Sequence, residues 1–502
     1  MAKILKDLGE PWEFWEYFEQ LSKIPHCSGK EEKVREFIKK EAEKLGFKTL
    51  IDQTGNLLVR SAGKDSEKNV PKAVLQCHMD MVCEKNESVE HDFSKDALQL
   101  EIIEREGEKW LTAKGTTLGA DNGVGIAYLL ALMKKLNSKD LNFEPLLIDM
   151  LFTVDEEVGL VGAFNIDKDL LEGNYLINLD SEEDDRFTIG CAGGINTIGE
   201  IKFEYVSINE YIKNAAPLRL SVSGLLGGHS GVDIHRDRAN SIKIISKILW
   251  KINNEFSIYL NSINGGNRAN AIPREAQAIL FVENKRLSEI KKFIDQIIDE
   301  IKLGISKIEP QMNIEVDVLE DFEDNKVFSE NFNNKLLHML YVMRHGPILM
   351  HPKIPNLVYT STNLASIKTQ DGVILITTSQ RSLHEISKKI IFEKIEALFK
   401  LADLDINISH IGDYPGWDPD FNAKLLKIAK KTYKELFNKD VIIQAIHAGL
   451  ECGILKKRFP DFDMISIGPT VEGAHSPEER LCIPSVEKIW KFLIRFLTKL
   501  SS

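Results

Sequence analysis

Three apolar, strand-like runs in the first 180 residues each end in side chains that bind metals or move protons. Ala73-Val-Leu-Gln-Cys77 leads into His78-Met-Asp80, Leu146 to Val154 leads into Asp155-Glu156-Glu157, and Tyr175-Leu-Ile-Asn-Leu179 leads into Asp180. In open α/β sheets the ligand crevice lies beyond the carboxyl ends of the strands, so three such ends point to one site, and their chemistry points to metal. His78 and Asp80 share a face because successive side chains of a strand alternate, and a metal-bound imidazole usually gives its second N–H to a carboxylate. Taken alone, a strand-end histidine and a turn-starting aspartate explain that pair as well. Glu156 and Glu157 follow a run long enough to be buried, where adjacent carboxylates repel unless a cation sits between them. One can ligate while the other takes a proton from water; plain surface acids are the alternative. Asp180 is singled out only by its strand, because the acidic turn Ser181-Glu-Glu-Asp-Asp-Arg follows it.

Two further segments extend the set. Gly119-Ala-Asp121-Asn-Gly123 opens a helix, where Asp121 alone reads as an N-cap, yet a carboxylate fixed there has two oxygens with which to bridge two cations. The flanking glycines let backbone approach closely. Gly473-Ala-His475-Ser-Pro-Glu-Glu supplies a late histidine. A lone histidine is more often structural than a ligand, but two histidines and three carboxylates, one bridging, give two cations three protein ligands each. That composition fits a two-metal hydrolytic centre, with zinc favoured by mixed His/carboxylate ligation and manganese or cobalt as substitutes. HExxH, the Walker loop, GxSxG and a GxGxxG after a strand are all missing.

The elements that must position these residues are legible in outline. Glu31 to Gly46 has helical apolar spacing with Gly46 at its end, and from Leu50 to Ser181 strand-like and helical runs alternate, the clearest helix being Val124 to Leu136. Such alternation predicts an α/β catalytic domain whose mostly parallel sheet has helices on both faces. After Cys191-Ala-Gly-Gly194 the style changes to strands that alternate apolar and polar, as in Leu218-Arg-Leu-Ser-Val222, and the segment is doubled in element order: helices at about 238–254 and 288–302, then at 329–343 and 385–402. Beyond Tyr414-Pro-Gly-Trp-Asp-Pro the first style returns, with a helix near 421–437, an apolar strand from Phe462 and a closing helix after Pro484. The expected domains are 1–197 and 411–502 as two parts of the catalytic domain, with 198–410 as an inserted α/β lid.

The 502 residues leave room for two or three domains, and a net charge of -12 spread along the chain argues against nucleic-acid or anionic-membrane partners. Six scattered cysteines without a CxxC pair read as small buried hydrophobes of a reducing compartment, not as a disulfide framework. Met1 to Leu8 has no apolar core of a signal peptide and no long apolar run follows, so a soluble cytoplasmic protein is expected.

In order and spacing, His78-x-Asp80, Gly-Ala-Asp121-Asn-Gly, Asp-Glu156-Glu157-Val-Gly, Asn-Leu-Asp180 and Gly-Ala-His475-Ser-Pro-Glu-Glu-Arg resemble the dizinc exopeptidases that include aminoacylases, carboxypeptidase G and the tripeptidases. Cys191-Ala-Gly-Gly, Gly227-Gly-His229-Ser-Gly, Asn267-Arg-Ala-Asn270-Ala-Ile-Pro, Ser379-Gln-Arg381-Ser and His447-Ala-Gly449-Leu-Glu-Cys look like the aminoacyl-histidine dipeptidase branch of that family. The resemblance implies that His78, Asp121 and Asp180 hold one metal and Asp121, Glu157 and His475 the other, that Asp80 orients His78, and that Glu156 is the general base. It implies a cis peptide after Asp121 and a homodimer. It also assigns His229 to the oxyanion of the tetrahedral intermediate, and Asn270, Arg381 and Gly449 to the C-terminal carboxylate and backbone of the substrate. A guanidinium suits a carboxylate because it pairs bidentately; without the resemblance Arg381 reads as half of a surface salt bridge.

The expected reaction is hydrolysis of short peptides, foremost Xaa-His dipeptides such as β-Ala-His, by a two-metal-activated water. Two other readings stand beside it: an N-acyl amino-acid amidohydrolase or broader di- or tripeptidase with the same metals, and a catalytically silent peptide- or metal-binding protein.

Overall fold

The computed structural model describes Leu5 and residues 8–61, 70–370 and 372–501, so most of the Met1 to Leu8 segment lies outside the described residues. It divides into two units, one made of residues 1–190, 419–445 and 450–502, the other of 191–418 and 446–449.

The first unit is built on an eight-stranded sheet whose strands lie in the order Lys48–Ile51, Leu57–Arg60, Leu147–Thr153, Lys72–His78, Tyr175–Asn178, Asp463–Ser466, Arg186–Cys191, Ile442–Ile446. The parallel part is the central four, Leu147–Thr153 through Asp463–Ser466, while Lys48–Ile51, Leu57–Arg60 and Arg186–Cys191 join antiparallel. These central strands are buried at nearly every residue, which requires cover on both faces and explains why they read as unbroken apolar runs. Their register levels the carboxyl ends: His78 pairs with Thr153, and Gln76 with Asn178. Each chain then runs on past the sheet into the predicted acidic residues.

The helix Ala120–Asn137 is buried along most of its length and packs on the helix Trp12–Leu21 and the strand Lys72–His78. Its first turn is not helical: Asp121 and Asn122 depart from helical backbone angles, and the Asp121–Asn122 peptide is cis. The closing helix Ile483–Leu500 carries Pro484 in its first turn, where a missing N–H costs nothing.

One sequence expectation fails in this unit. Cys27 and Cys83 form a disulfide across 56 residues. The fold lays the segment after the first helix against the end of Lys72–His78, with Met81 N–H donating to the His26 carbonyl at 3.1 Å, so two cysteines with no CxxC spacing become neighbours. Cys77, Cys191 and Cys452 are buried, as expected of small hydrophobes.

The second unit is a nine-stranded antiparallel sheet with two interlocked halves. Ala215–Ser223, the helix Ser241–Glu255, Tyr259–Gly265, Ala276–Glu283, the helix Leu287–Ile305 and Asn313–Val318 form a β-α-β-β-α-β unit with strands in the spatial order fourth, first, third, second. Gly193–Lys202, the helix Glu330–Val342, Val358–Gln370, Val373–Ser382, the helix Glu385–Leu401 and Ile406–Tyr414 repeat that pattern and order, with the other half inserted after the first strand. The doubling seen in element order is thus a doubling of topology. Residues alternate between buried and less buried along Ala215–Ser223, and a single apolar core including Leu218, Leu220, Ile245, Ile248, Ile376 and Phe399 joins the strands to the helices. Among the described residues no helix is long and apolar enough to cross a membrane.

Candidate metal centre

The first unit brings its five predicted ligands together. His78, 1 % exposed at the end of its strand, has Nε2 2.9 Å from Asp121 Oδ1 and 3.3 Å from Asp180 Oδ1. The other oxygen of Asp121, Oδ2, lies 3.2 Å from His475 Nε2, and that nitrogen is 3.0 Å from Glu157 Oε2. His78, Asp121 and Asp180 therefore converge with ligand atoms within 4.8 Å of one another, and so do Asp121, Glu157 and His475. Asp121 belongs to both groups, one oxygen to each. Glu157 Oε1 is buried without a hydrogen-bond partner among the described residues, and Glu156 converges on the same place with His78 and Glu157.

The electrostatics of this cluster are those of a cation site. Burial opposes charge on His78, but Asp180, Asp121 and Asp80 outweigh it and hold the imidazole well above its ordinary pKa. Hydrogen bonds to Asp121 and Glu157 push His475 up to about 11. Burial, with Asp121 and Glu157 nearby, pushes Asp180 up to about 7, and burial above all raises Glu156 well beyond the carboxylate range. Imidazoles that cling to protons beside carboxylates that resist ionising mark a shortage of positive charge, which divalent ions relieve. The orphaned Glu157 oxygen and the oxygen-and-imidazole donor set fit such ions.

Asp80 meets His78 and holds a second set of partners as well. His78 Nδ1 lies 2.9 Å from the Asp80 main-chain carbonyl and 3.4 Å from the carboxylate, so the backbone is the nearer orienting group. The carboxylate itself accepts from the backbone N–H groups of Glu156 at 2.9 Å and Glu157 at 3.1 Å, and from Ser28 Oγ at 2.8 Å. Burial alone raises its pKa; the His78 imidazole and these donors override that and hold it at about 2. Asp80 thus ties the His78 strand end to the turn that aims both glutamates.

Sequence reasoning missed Glu479. Its buried carboxylate accepts from four consecutive backbone N–H groups: Leu118 at 2.6 Å and Gly119 at 2.9 Å on Oε2, Ala120 at 2.7 Å and Asp121 at 3.1 Å on Oε1. Gly119 at φ +68° curls the chain around that anion, and a Cβ there would meet Met81 Sδ at 2.8 Å. The only sequence signal was a second acid in the His475 segment. Asn122, also missed, donates its amide to Asp180.

The remaining predicted residues lie in the second unit. His229 Nδ1 accepts from the N–H groups of Gly231 at 3.2 Å and Val232 at 3.1 Å, which leaves Nε2 as the protonated, donating nitrogen. Burial and then the Arg381 charge lower its pKa to about 4, so the ring is neutral at physiological pH. Arg381 is buried, donates from Nη1 to Tyr414 Oη at 2.8 Å and has no partner for Nε among the described residues. Gly449 lies against the same tyrosine, since a Cβ there would come within 2.9 Å of the Tyr414 ring. Asn270 neighbours His229 through the ladder that pairs His229 with Ala271, but its side chain is exposed, and its carbonyl accepts from Ser230 N–H at 2.8 Å.

Comparison with known proteins agrees with this chemistry. Residues 74–499 match the pattern of peptidase family M20/M25/M40. A cytosol non-specific dipeptidase of Escherichia coli (strain K12) is 35 % identical over 490 residues, 98 % of either chain. The crystal structure of aminoacylhistidine dipeptidase from Vibrio alginolyticus is similar with a TM-score of 0.87 and 33 % identity over 99 % of both chains. That of aminopeptidase PepT from Bacillus cereus, 14 % identical over 98 % of both chains with a TM-score of 0.56, shares the fold. On a family match over most of its length and a full-length peptidase relative, the chain belongs to peptidase family M20/M25/M40 and is a metal-dependent peptide hydrolase.

Proposed function

We propose that this peptidase is a dipeptidase that holds two divalent ions, zinc foremost and manganese or cobalt as substitutes, and cleaves Xaa-His dipeptides such as β-Ala-His. The observation that carries the reading is Asp121, whose two oxygens each face a different imidazole. Ions would be held by His78, Asp121 and Asp180, and by Asp121, Glu157 and His475, and would supply the Lewis acidity for acidifying water and polarising a peptide carbonyl. Glu156, converging with Glu157 and His78, takes the proton from the attacking water and returns it to the leaving amine. His229 donates its Nε2–H to the oxyanion, and the free Nε of Arg381 with its guanidinium neighbours pairs with the substrate's C-terminal carboxylate. Asn270 and Gly449 hold the substrate backbone in this reading, and the enzyme is a cytosolic homodimer.

Replacing Glu156 by Ala leaves two ions bound per chain, measured by elemental analysis, and lowers kcat by at least about 10³-fold; substantial residual turnover refutes its role. The name of the Escherichia coli relative supports a broader dipeptidase as second reading. Hydrolysis of β-Ala-His, Gly-His, Ala-Ala-Ala and N-acetyl amino acids side by side separates the two, because an Xaa-His enzyme discards the substrates without histidine.

A further inference from the structure

Directly behind the strand ends that carry the proposed ligands lies a layer of buried polar side chains with no place in the reaction described above. Gln76 stands two residues before His78, Thr153 three before Glu156 and Asn178 two before Asp180; with Ser466 and Glu451, each is at most 1 % exposed. Gln76 and Asn178 face each other in register on adjacent parallel strands, and Gln76 shares a face with His78 because strand side chains alternate. The hydrogen bonds run in one direction. Ser466 Oγ donates to Asn178 Oδ1, Asn178 Nδ2 donates to Gln76 Oε1 at 2.7 Å, and Gln76 Nε2 donates to Glu451 Oε2 at 2.6 Å. Thr153 Oγ1 donates to the same Glu451 oxygen at 2.9 Å.

An amide can be turned either way around by its neighbours, whereas a carboxylate only accepts. Glu451, at the start of the helix Glu451–Arg458, therefore sets the sense of the whole chain. Its acceptor forces the NH₂ of Gln76 toward it, which turns the Gln76 carbonyl to Asn178 and in turn fixes Asn178 toward Ser466. Its second oxygen, Oε1, is buried without a hydrogen-bond partner among the described residues, an arrangement that costs stability and calls for a compensating role.

We infer that Glu451 is a positioning residue for one of the two metal sites: by orienting Gln76 and Asn178 it aligns the strand ends of His78 and Asp180. These two residues belong to one proposed ligand group, His78, Asp121 and Asp180; His475 lies outside the linked strands, and Thr153, whose strand leads to Glu157, has a second acceptor in the Cys77 carbonyl at 3.2 Å and does not take its orientation from Glu451 alone. The inference rests on the ligand assignment above.

The test is site-resolved zinc affinity, measured by competition with a chromophoric chelator. Glu451→Ala and Glu451→Gln are each placed in a His475→Ala background, where only the His78 site is complete, and in an Asp180→Ala background, where only the His475 site is. Glu451→Ala lowers affinity in the first background by about 10-fold or more, the usual effect of losing a residue that supports a ligand, and changes it by less than about threefold in the second. Glu451→Gln, whose carbonyl accepts the same two donors, restores the first site. Gln76→Met keeps the volume, breaks the link and reproduces the alanine result, so the test stands where the alanine variant does not fold. Equal losses at both sites, no loss at either with only a lower Tm, or failure of Gln to rescue overturns the inference. If the two single-site backgrounds each still bind two ions, the ligand assignment itself falls.

Discussion

Glu479 touches no proposed ligand side chain, yet replacing its carboxylate by an amide should disable both proposed metal sites. In Glu479→Gln the carbonyl oxygen keeps two of the four backbone donors and the amide NH₂ is turned on the other two, because all four partners are N–H groups. Two buried charge-assisted bonds at roughly 1.5 to 3 kcal/mol each are lost, so the loop gives up about 3 to 6 kcal/mol of its preference for the ligating conformation. A tenfold change corresponds to about 1.4 kcal/mol, so the competent loop becomes about 10² to 10⁴-fold rarer. Because Asp121 serves both groups, apparent affinity falls at both sites together, reduced by the fraction of chains with the loop in place. Chelator competition on Glu479→Gln reads this directly, and thermal unfolding of the metal-free protein confirms that the rest of the fold persists. Two ions bound with unaltered affinity refute the reasoning, as does loss of one ion alone.

Two other outcomes follow from the second unit. Arg381→Lys keeps the charge but gives up the planar fork, so KM for dipeptides rises by about 10-fold or more with a smaller change in kcat; an unchanged KM in steady-state assays removes Arg381 from carboxylate recognition. Burial, then the Lys243 charge, lowers His345 to about 4, and burial with Arg381 lowers His447 to about 3. Since a histidine of ordinary pKa near 6.5 binds more protons unfolded than these do folded, stability falls as pH drops from about 6.5 toward 4, at roughly 1.4 kcal/mol per unit for each group. Tm measured across that range for the protein and for His345→Gln checks this, the variant showing the shallower slope; identical slopes count against it.

What could be read from sequence followed the physics of each signal. The apolar runs ending at His78, Glu156 and Asp180 were legible because central parallel strands are buried on both faces and direct their ends to one crevice. The antiparallel edge strands were not, since pairing sense leaves no mark in a run of four residues such as Lys48–Ile51. The disulfide, the carboxylate of Asp80 on the Glu156 and Glu157 backbone, and the hold of Glu479 on the Asp121 loop were hidden for a common reason. Each joins segments far apart in the chain through contacts that exist only once the sheet has formed. A backbone N–H acceptor also carries no residue-type signature in its partner.

The carboxylate that holds the Asp121 loop comes from 358 to 361 residues further along the chain. On the ribosome, then, a nascent polypeptide displays His78, Asp121, Glu156, Glu157 and Asp180 long before it can brace them, and His475 and Glu479 follow within four residues of each other. One segment delivers both a proposed ligand, His475, and the brace for the loop of the proposed shared one. In the proposed assignment, metal capture and peptide cleavage wait on that segment, and a polypeptide that stops short of it lacks both His475 and the brace.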